Sequence, residues 1–388
     1  MVKDWKVFRA IAPWKRPYHL VRANIAKHWI KRFPEVEVIG VTGSVGKTTA
    51  KEAIVQVLGA KFKVLKTIEN FDPLFNIPKT LLRVRSGTQK VIVEMGVEHP
   101  GEMDFYLSLV KPKIGVVTQI FLAHTAFLGN ISGILAEKGK LLEVLPKDGW
   151  AILNWDDENV RELAKRTKAR IFWYGTNSKK CDLWVDKFSQ GFLGSKFTLC
   201  INREKEEVKW RLIGEHNTVS ALAGASVGLV CGLKLKEICQ SLSKFEPQKS
   251  RIEVKKGIKN TILLDDCYNA SPLSMKMSLR TLRDLARDQR KVAVLGEMLE
   301  LGVFSEGAHR ELGEEVLKNE IDLLFCIGEN SKFTYEVAKK VLGKKALWIE
   351  SIYGLLQKVK KEIQKNDVIL VKGSRAVHLE IIIKELAL

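Results

Sequence analysis

Residues 40–49 read GVTGSVGKTT and lie between an apolar run and a helix-like run. A strand, a glycine-rich turn and a helix start of this kind put backbone N–H groups and an ammonium around phosphate oxygens, and leave a hydroxyl for Mg2+. The candidate nucleotide contacts are Gly43, Ser44, Gly46, Lys47, Thr48 and Thr49. The spacing departs from the strict P-loop, because position 41 is Val and the first glycine, Gly40, stands one place further from Gly46. A glycine turn beside a surface lysine is the plainer alternative, and the strand before and helix after the motif speak against it.

Three more residue types suit the same chemistry. KVIVEMG ends an apolar strand on Glu94, where a carboxylate at a strand's carboxyl edge can hold Mg2+ or its water; a solvated strand-end acid is the other reading. His124 follows IGVVTQI in a loop and can ligate a second divalent ion or serve structure alone. Lys138, in LAEKGKLLEVL, is either a surface helix residue or a lysine desolvated in a cleft. In a cleft its neutral amine would react with CO2 to give a carbamate, a metal-binding anion.

These residues need a scaffold, and the hydrophobic pattern supplies one. EVEVIGV reads as a buried strand and TTAKEAIVQVL as a helix, and the alternation continues through FKVLKT, KVIVEMG, KIGVVTQ, GWAILNW and ARIFWYG. Such alternation predicts an α/β fold, a mostly parallel sheet with helices on both faces. Residues 182–213 break the rhythm with short antiparallel strands and a turn at Gly191, and a helix rich in Ala and Gly follows at about 217–232. Beyond Pro247 a second βα series begins, with strands TILLDD, KVAVLG, DLLFCIG, ALWIE and DVILVKG. The expected organisation is a basic leader over 1–35, a P-loop domain over 36–246 and a Rossmann-like C-terminal domain over 247–388.

The chain has 388 residues, 46% hydrophobic, enough for more than one core. No run reaches the roughly 18 apolar residues of a membrane span, and the N-terminus lacks the apolar core of a signal peptide, so a cytoplasmic protein is expected. Six scattered cysteines without a C-x-x-C pair suggest reduced core thiols rather than zinc ligands or disulfides. The net charge of +19 attracts anions of any kind. It is concentrated in residues 1–33, where nine Lys/Arg face one acid and are interleaved with Trp5, Phe8, Trp14 and Trp29. After Pro13 and Pro17, Val21, Ile25 and Trp29 share helical spacing, with Arg22, Lys27, Lys31 and Arg32 elsewhere around the helix. Such a helix suits peripheral contact with an anionic membrane at its inner face; packing on the sheet or binding substrate phosphates are the alternatives.

Taken in order, GVTGSVGKTT, VEMG, AEKGKLLEVLPKDGWAILNWDD, GEHNTVSALAGA, SRIE, LLDDCYNASPLSM, VAVLGEMLELG with FSEGAHRELG, and LVKGSRA resemble the Mur ligases. The run from Asp265 to His309 is most similar to the branch that joins D-alanyl-D-alanine to a UDP-N-acetylmuramoyl-tripeptide. The resemblance implies ATP-dependent amide formation in cell-wall precursor synthesis: a γ-phosphoryl group moves to a carboxylate, and an amine displaces phosphate from the acyl phosphate. It implies Lys47 on the β/γ-phosphates, Thr48 and Glu94 on one Mg2+, and His124 with carbamylated Lys138 on a second. It further implies that Asn217 contacts adenine, Asp266 the ribose and Arg251 the phosphates. Asn269, Lys372, Ser374 and Arg375 would meet the amine substrate and the reaction centre. Closure about residues 246–250 would then accompany catalysis.

Two features depart from the family pattern. The usual N-x-N-N-x-x-G-x-P loop is replaced by NFDPLFNIP, which keeps Asn70 and Pro78 but shifts Asp72, Pro73 and Asn76. Residues 1–35 are too few for the family's N-terminal domain, which grips the UDP-sugar, so the acceptor is the least defined expectation. The nucleotide-sugar peptide and dipeptide-like substrates of the family remain the first expectation. A lipid-linked acceptor, or another acid as in folylpolyglutamate or cyanophycin synthetases, is the alternative within the class. A non-catalytic P-loop module binding nucleic acid is the alternative outside it, disfavoured because no RNA- or DNA-reading motif is present.

Overall fold

The computed structural model describes residues 12–68 and 72–388. The chain forms two compact units. One runs to Phe188 and adds Lys196–Lys209 and Asn217–Phe245; the other comprises Ser189–Ser195, Trp210–His216 and Glu246–Leu388.

The parallel core of the first unit is made by β1 (Glu37–Thr42), β2 (Val64–Lys66), β3 (Lys90–Glu94), β4 (Ile114–Val117), β5 (Trp150–Asn154) and β6 (Arg170–Gly175). In β1 every residue after Glu37 is buried, as expected of a strand covered on both faces by helices. Strands β7 (Leu183–Gly191), β8 (Gly194–Ile201) and β9 (Glu204–Trp210) extend the sheet. Their connections, 192–193 and 202–203, are too short for anything but antiparallel neighbours. The order is β2-β3-β1-β4-β5-β6-β7-β8-β9, with β1 parallel to β3 on one side and to β4 on the other. Chain order therefore reverses beside β1, and the crevice this creates opens at the strands' carboxyl ends, where ligands of open α/β sheets bind.

Helix Lys47–Leu58 follows β1 and buries Ala50, Ala53, Ile54 and Val57, one face at helical spacing. It packs on helix Thr218–Val230, the small-residue helix expected from sequence. Gly224 and Gly228 permit the approach: a Cβ on the first would lie 3.0 Å from Ala53, and on the second 2.6 Å from Val57 Cγ1.

Two expectations for this unit are corrected. The departing stretch is not a loop, for Asp72 Oδ1 accepts from the Leu74 amide at 2.8 Å and caps helix Pro73–Leu81. Asn76, buried in that helix, is bonded to both the amide and the carbonyl of Ile68, and Pro78 is internal to it. Asn70 lies outside the described residues. The N-terminal helix Arg16–Ile30 forms, but its inward face is Leu20, Ala23 and Ala26, packed on helices Pro73–Leu81 and Glu102–Leu109. Val21 and Ile25 point to solvent, and Trp29, half-buried, donates its indole N–H to the Val84 carbonyl at 3.0 Å. The three were expected to act as one stripe. The small side chains of Ala23 and Ala26 let the helix axis come close, so burial follows the alanines instead.

The second unit carries β10 (Glu253–Gly257), β11 (Thr261–Asp266), β12 (Lys291–Gly296), β13 (Leu323–Ile327), β14 (Ala346–Trp348) and β15 (Val368–Lys372) in the order β10-β11-β15-β12-β13-β14. All pairs are parallel except the edge pair β10–β11, a strand the sequence pattern did not reveal. Apolar clusters lie on both faces of this sheet, with Leu264, Ala293, Leu324 and Leu370 in one and Leu263, Val294, Phe325 and Ile369 in the other. All six cysteines are free, and all but Cys231 are buried. No described helix is long and apolar enough to cross a membrane.

Candidate active site

The turn after β1 is shaped by two glycines with positive φ. Gly43 (φ 150) sits so close to β4's continuation that a Cβ would fall 2.1 Å from Thr118 Oγ1, and Gly46 (φ 81) precedes helix Lys47–Leu58 at its N-terminus. The loop is tied down by the Ser44 amide on the Gln119 carbonyl (2.6 Å), the Ser44 hydroxyl on the Phe121 carbonyl (2.8 Å) and the Thr118 hydroxyl on the Val45 carbonyl (2.6 Å). The loop is held from outside, and the helix start that follows it offers the backbone N–H end that anion binding requires. Lys47 Nζ lies over this loop, 3.2 Å from the Ser44 carbonyl. Thr49 is buried in the helix.

Thr48 Oγ1 donates to Glu94 Oε1 at 2.8 Å, joining the helix start to the end of β3. Behind them lies Lys51, whose side chain is fully buried, with Nζ 3.3 Å from Glu94 Oε2, 3.2 Å from Glu52 Oε1 and 3.1 Å from the Thr67 carbonyl. A carboxylate and a hydroxyl so placed beside the phosphate loop are oxygen ligands suited to Mg2+.

His124, half-buried with φ 55, heads the short helix Thr125–Leu128. One of its ring nitrogens comes within 4.8 Å of a carboxylate oxygen of Glu98, which sequence reading missed. Lys138, on helix Ile131–Glu143, is 1% exposed, and its Nζ has no hydrogen-bond partner among the described residues. Burial holds this amine well below the usual lysine range, and the charge on Lys47 acts in the same direction, against Glu102, Glu137 and Glu98. The adjacent Glu137 does not neutralise it. Its Oε1 accepts the amides of Gly101 (2.9 Å) and Met103 (3.0 Å), and its Oε2 pairs with Lys140 at 2.6 Å. A buried amine without a partner costs several kcal/mol when charged, which shifts the balance toward the neutral form. Asn217 is the residue just ahead of helix Thr218–Val230 in the same unit.

In the second unit, Asp266 ends β11 and Lys372 ends β15. Asp266 Oδ2 accepts from Lys372 Nζ (2.6 Å) and from the Ser278 hydroxyl (2.6 Å), and Lys372 also reaches the Asn269 carbonyl at 3.0 Å. The pair is nearly enclosed, at 8% and 3% exposure. Beside it His216 is held near a pKa of about 4, chiefly by burial, which the Asp266 carboxylate opposes. The Arg251 guanidinium lies over the Tyr268 ring, 4.2 Å from its centre. Ser374 is buried and its Oγ accepts the Leu299 amide at 2.9 Å, whereas Arg375 and Asn269 are exposed. A further buried imidazole, His309, accepts the Met298 amide at Nε2 (3.0 Å), so its Nδ1–H is the donor toward the Ser305 carbonyl at 2.7 Å.

The structure thus brings Gly43, Ser44, Gly46, Lys47, Thr48, Thr49 and Glu94 together at the crevice beside β1, and Asp266, Lys372 and Asn269 at the carboxyl ends of β11 and β15. Lys51 and Glu98 are the neighbours that sequence reading did not single out. Lys51 stands one helical turn beyond Lys47, a spacing that would have placed both on one face.

Residues 41–228 match the Mur ligase middle domain, and residues 250–375 match the Mur ligase glutamate ligase domain. The UDP-N-acetylmuramoyl-tripeptide–D-alanyl-D-alanine ligase of Bacillus subtilis (strain 168) is 34% identical over 364 residues, covering 94% of this chain and 78% of that protein. The enzyme of the same name from Escherichia coli (strain K12) is 29% identical, covering 92% and 78%. Among solved structures, MurF from Acinetobacter baumannii superimposes with a TM-score of 0.87 at 25% identity, over 95% of this chain and 80% of that one. With both halves matched and a relative 34% identical over most of both chains, the chain belongs to the Mur ligase family.

Proposed function

We propose that the chain is an ATP-dependent ligase that joins D-alanyl-D-alanine to the carboxylate of a UDP-N-acetylmuramoyl-tripeptide in peptidoglycan precursor synthesis. The observation that carries the proposal is the phosphate loop at the switch point of the sheet, with the Thr48–Glu94 pair at its edge. The acceptor carboxylate attacks the γ-phosphorus of ATP, and the P–O bond to ADP breaks. The resulting acyl phosphate is attacked by the dipeptide amine, an amide forms, phosphate leaves, and the amine loses a proton. Residues Gly43 to Thr49 hold the phosphates through backbone N–H groups, and Lys47 adds a positive charge where negative charge accumulates.

Thr48 and Glu94 would hold one Mg2+, and His124 with Lys138 a second. Bound there, the ions would screen the repulsion between two approaching anions. Lys138 fits the second role as a carbamate: burial without a partner favours the neutral amine that CO2 requires, with an N–C bond formed and a proton released. Asn217 and Asp266 belong in this reading to adenine and ribose, and Arg251 to the phosphates. Asn269, Lys372, Ser374 and Arg375 belong to the amine side. We also include a peripheral contact with the inner face of an anionic membrane through the basic N-terminal helix. The route is tested by supplying an acceptor labelled with oxygen-18 in its carboxylate. One label is expected in the released phosphate; unlabelled phosphate beside an amide product would remove the acyl phosphate.

A further inference from the structure

Helix Arg16–Ile30 and the turn Pro13–Lys15 before it have two opposite apolar faces. Leu20, Ala23 and Ala26 are buried in the first unit. At 3.6 residues per turn, Trp14, Tyr18, Val21 and Ile25 form a second stripe on the other side of the helix, 75%, 64%, 58% and 54% exposed. The stripe continues into a shallow groove of about 470 Å3 lined by Val21, Asn24, Ile25, His28, Trp29 and Arg32. A core helix needs one apolar face, so the second is left for something outside the unit.

The charge around the stripe says what that is. Residues 12–34 hold Lys15, Arg16, Arg22, Lys27, Lys31 and Arg32 and no acid. Three of these cations stand over the aromatic rings of the segment: Lys15 over Trp14 (4.8 Å), Arg22 over Tyr18 (5.7 Å) and Arg32 over Trp29 (5.2 Å). Aromatic rings flanked by cations, beside exposed branched aliphatics, match the order of layers at a lipid surface, with anionic headgroups outside and acyl chains beneath. A second copy of this helix would bring the same six cations against these, which disfavours self-pairing at this face.

We propose that this outward face is a docking surface for an anionic lipid bilayer, with the helix lying in the plane of the interface and Trp14, Tyr18, Val21 and Ile25 immersed below the headgroups. This refines the peripheral contact of the proposed function and stands independently of the ligase chemistry. The length of the stripe suits it, since residues 14 to 25 extend only about 17 Å at 1.5 Å per residue, enough to lie on a bilayer and too little to cross one.

The test is co-sedimentation of the full chain with vesicles of phosphatidylcholine alone and of phosphatidylcholine mixed with phosphatidylglycerol, at low and high salt. The expected result is binding to the anionic vesicles that weakens with salt, and a loss of at least about tenfold in the double variant Val21→Glu/Ile25→Glu. That variant should keep the thermal unfolding and the ATP-dependent turnover of the parent in vesicle-free solution, because neither residue is buried or near the phosphate loop. Equal binding of the double variant, or no binding to anionic vesicles, would overturn the proposal. A concentration-dependent dimer abolished by the double variant, without vesicle binding, would reassign the stripe to a second copy and overturn it too. Failure of ligase activity with vesicle binding intact would leave it standing.

Discussion

Thr48 and Lys51 hold the two oxygens of one carboxylate: Glu94 Oε1 accepts from Thr48 Oγ1 at 2.8 Å, and Glu94 Oε2 lies 3.3 Å from Lys51 Nζ. Glu94 is thereby aimed before any ion arrives, and the buried ammonium behind it also meets Glu52 and the Thr67 carbonyl. Lys51→Met removes this support. It is expected to lower stability by about 2–3 kcal/mol, less than the ~3–5 of a fully enclosed pair because the Glu94 side chain keeps 18% exposure. It should also raise the Mg2+ concentration needed for half-maximal turnover. Urea unfolding and an Mg2+ titration check the two effects, and a variant with parental Mg2+ dependence would deny Lys51 its positioning role.

Gly43→Ala tests the shape of the phosphate loop. Its φ of 150 and the 2.1 Å approach of a Cβ to Thr118 Oγ1 leave no room for a methyl group. The loop must shift and its amides move with it, so affinity for a fluorescent ADP should fall by about a hundredfold or more while the fold persists. Unchanged ADP affinity would show that the amides of this turn do not hold the nucleotide.

The buried amine of Lys138 makes a prediction about pH. Its pKa is lowered in the folded chain, so between that value and the ordinary 10.5 the unfolded chain binds more protons than the folded one. Stability should therefore rise with pH through this window and level off above it. Lys138→Met should flatten the slope and leave the protein at least as stable as the parent at neutral pH, yet without turnover. Carbon-13 bicarbonate should give a carbamate resonance in the parent and none in the variant, and a parent without that resonance would leave the lysine unmodified.

His216 gives the second unit its own acid sensitivity. The imidazole, held at about 4 by burial, stays neutral in the fold while the unfolded chain protonates near 6.5. The corresponding stability is fully present above pH 6.5 and is lost as pH falls toward 4. His216→Gln should reduce the fall across that interval in thermal unfolding followed by calorimetry. An unaltered fall would assign the acid sensitivity to other groups.

The residues show why some of this was legible in the sequence and some was not. Gly43, Gly46, Lys47 and Thr48 are adjacent in the chain, and the strand before them and helix after them carry unambiguous hydrophobic periods, so loop and fold class could be read together. Glu94 followed from its place at a strand end. Lys51 and Glu98 did not, because a buried ammonium or a loop carboxylate is recruited by neighbours distant in sequence, Thr67 and His124 among them. The N-terminal helix was expected to gather Val21, Ile25 and Trp29 into one stripe suited to a membrane surface, yet Trp29 parts from the two exposed residues to bond the Val84 carbonyl. The inward positions are taken by Leu20, Ala23 and Ala26, because close packing rewards small side chains where another helix runs alongside. Strand β10 was hidden because Glu253, Lys255 and Lys256 leave it little apolar pattern, as edge strands often are.

The central claim is that ATP is spent on making an amide. The most direct measurement is phosphate release from ATP and Mg2+ with D-alanyl-D-alanine, with and without UDP-N-acetylmuramoyl-tripeptide, while the product mass is followed. Release that requires both substrates, matches the amide formed and disappears in Lys47→Ala is the predicted result. Phosphate released at the same rate without either substrate, or full turnover in Lys47→Ala, would contradict it.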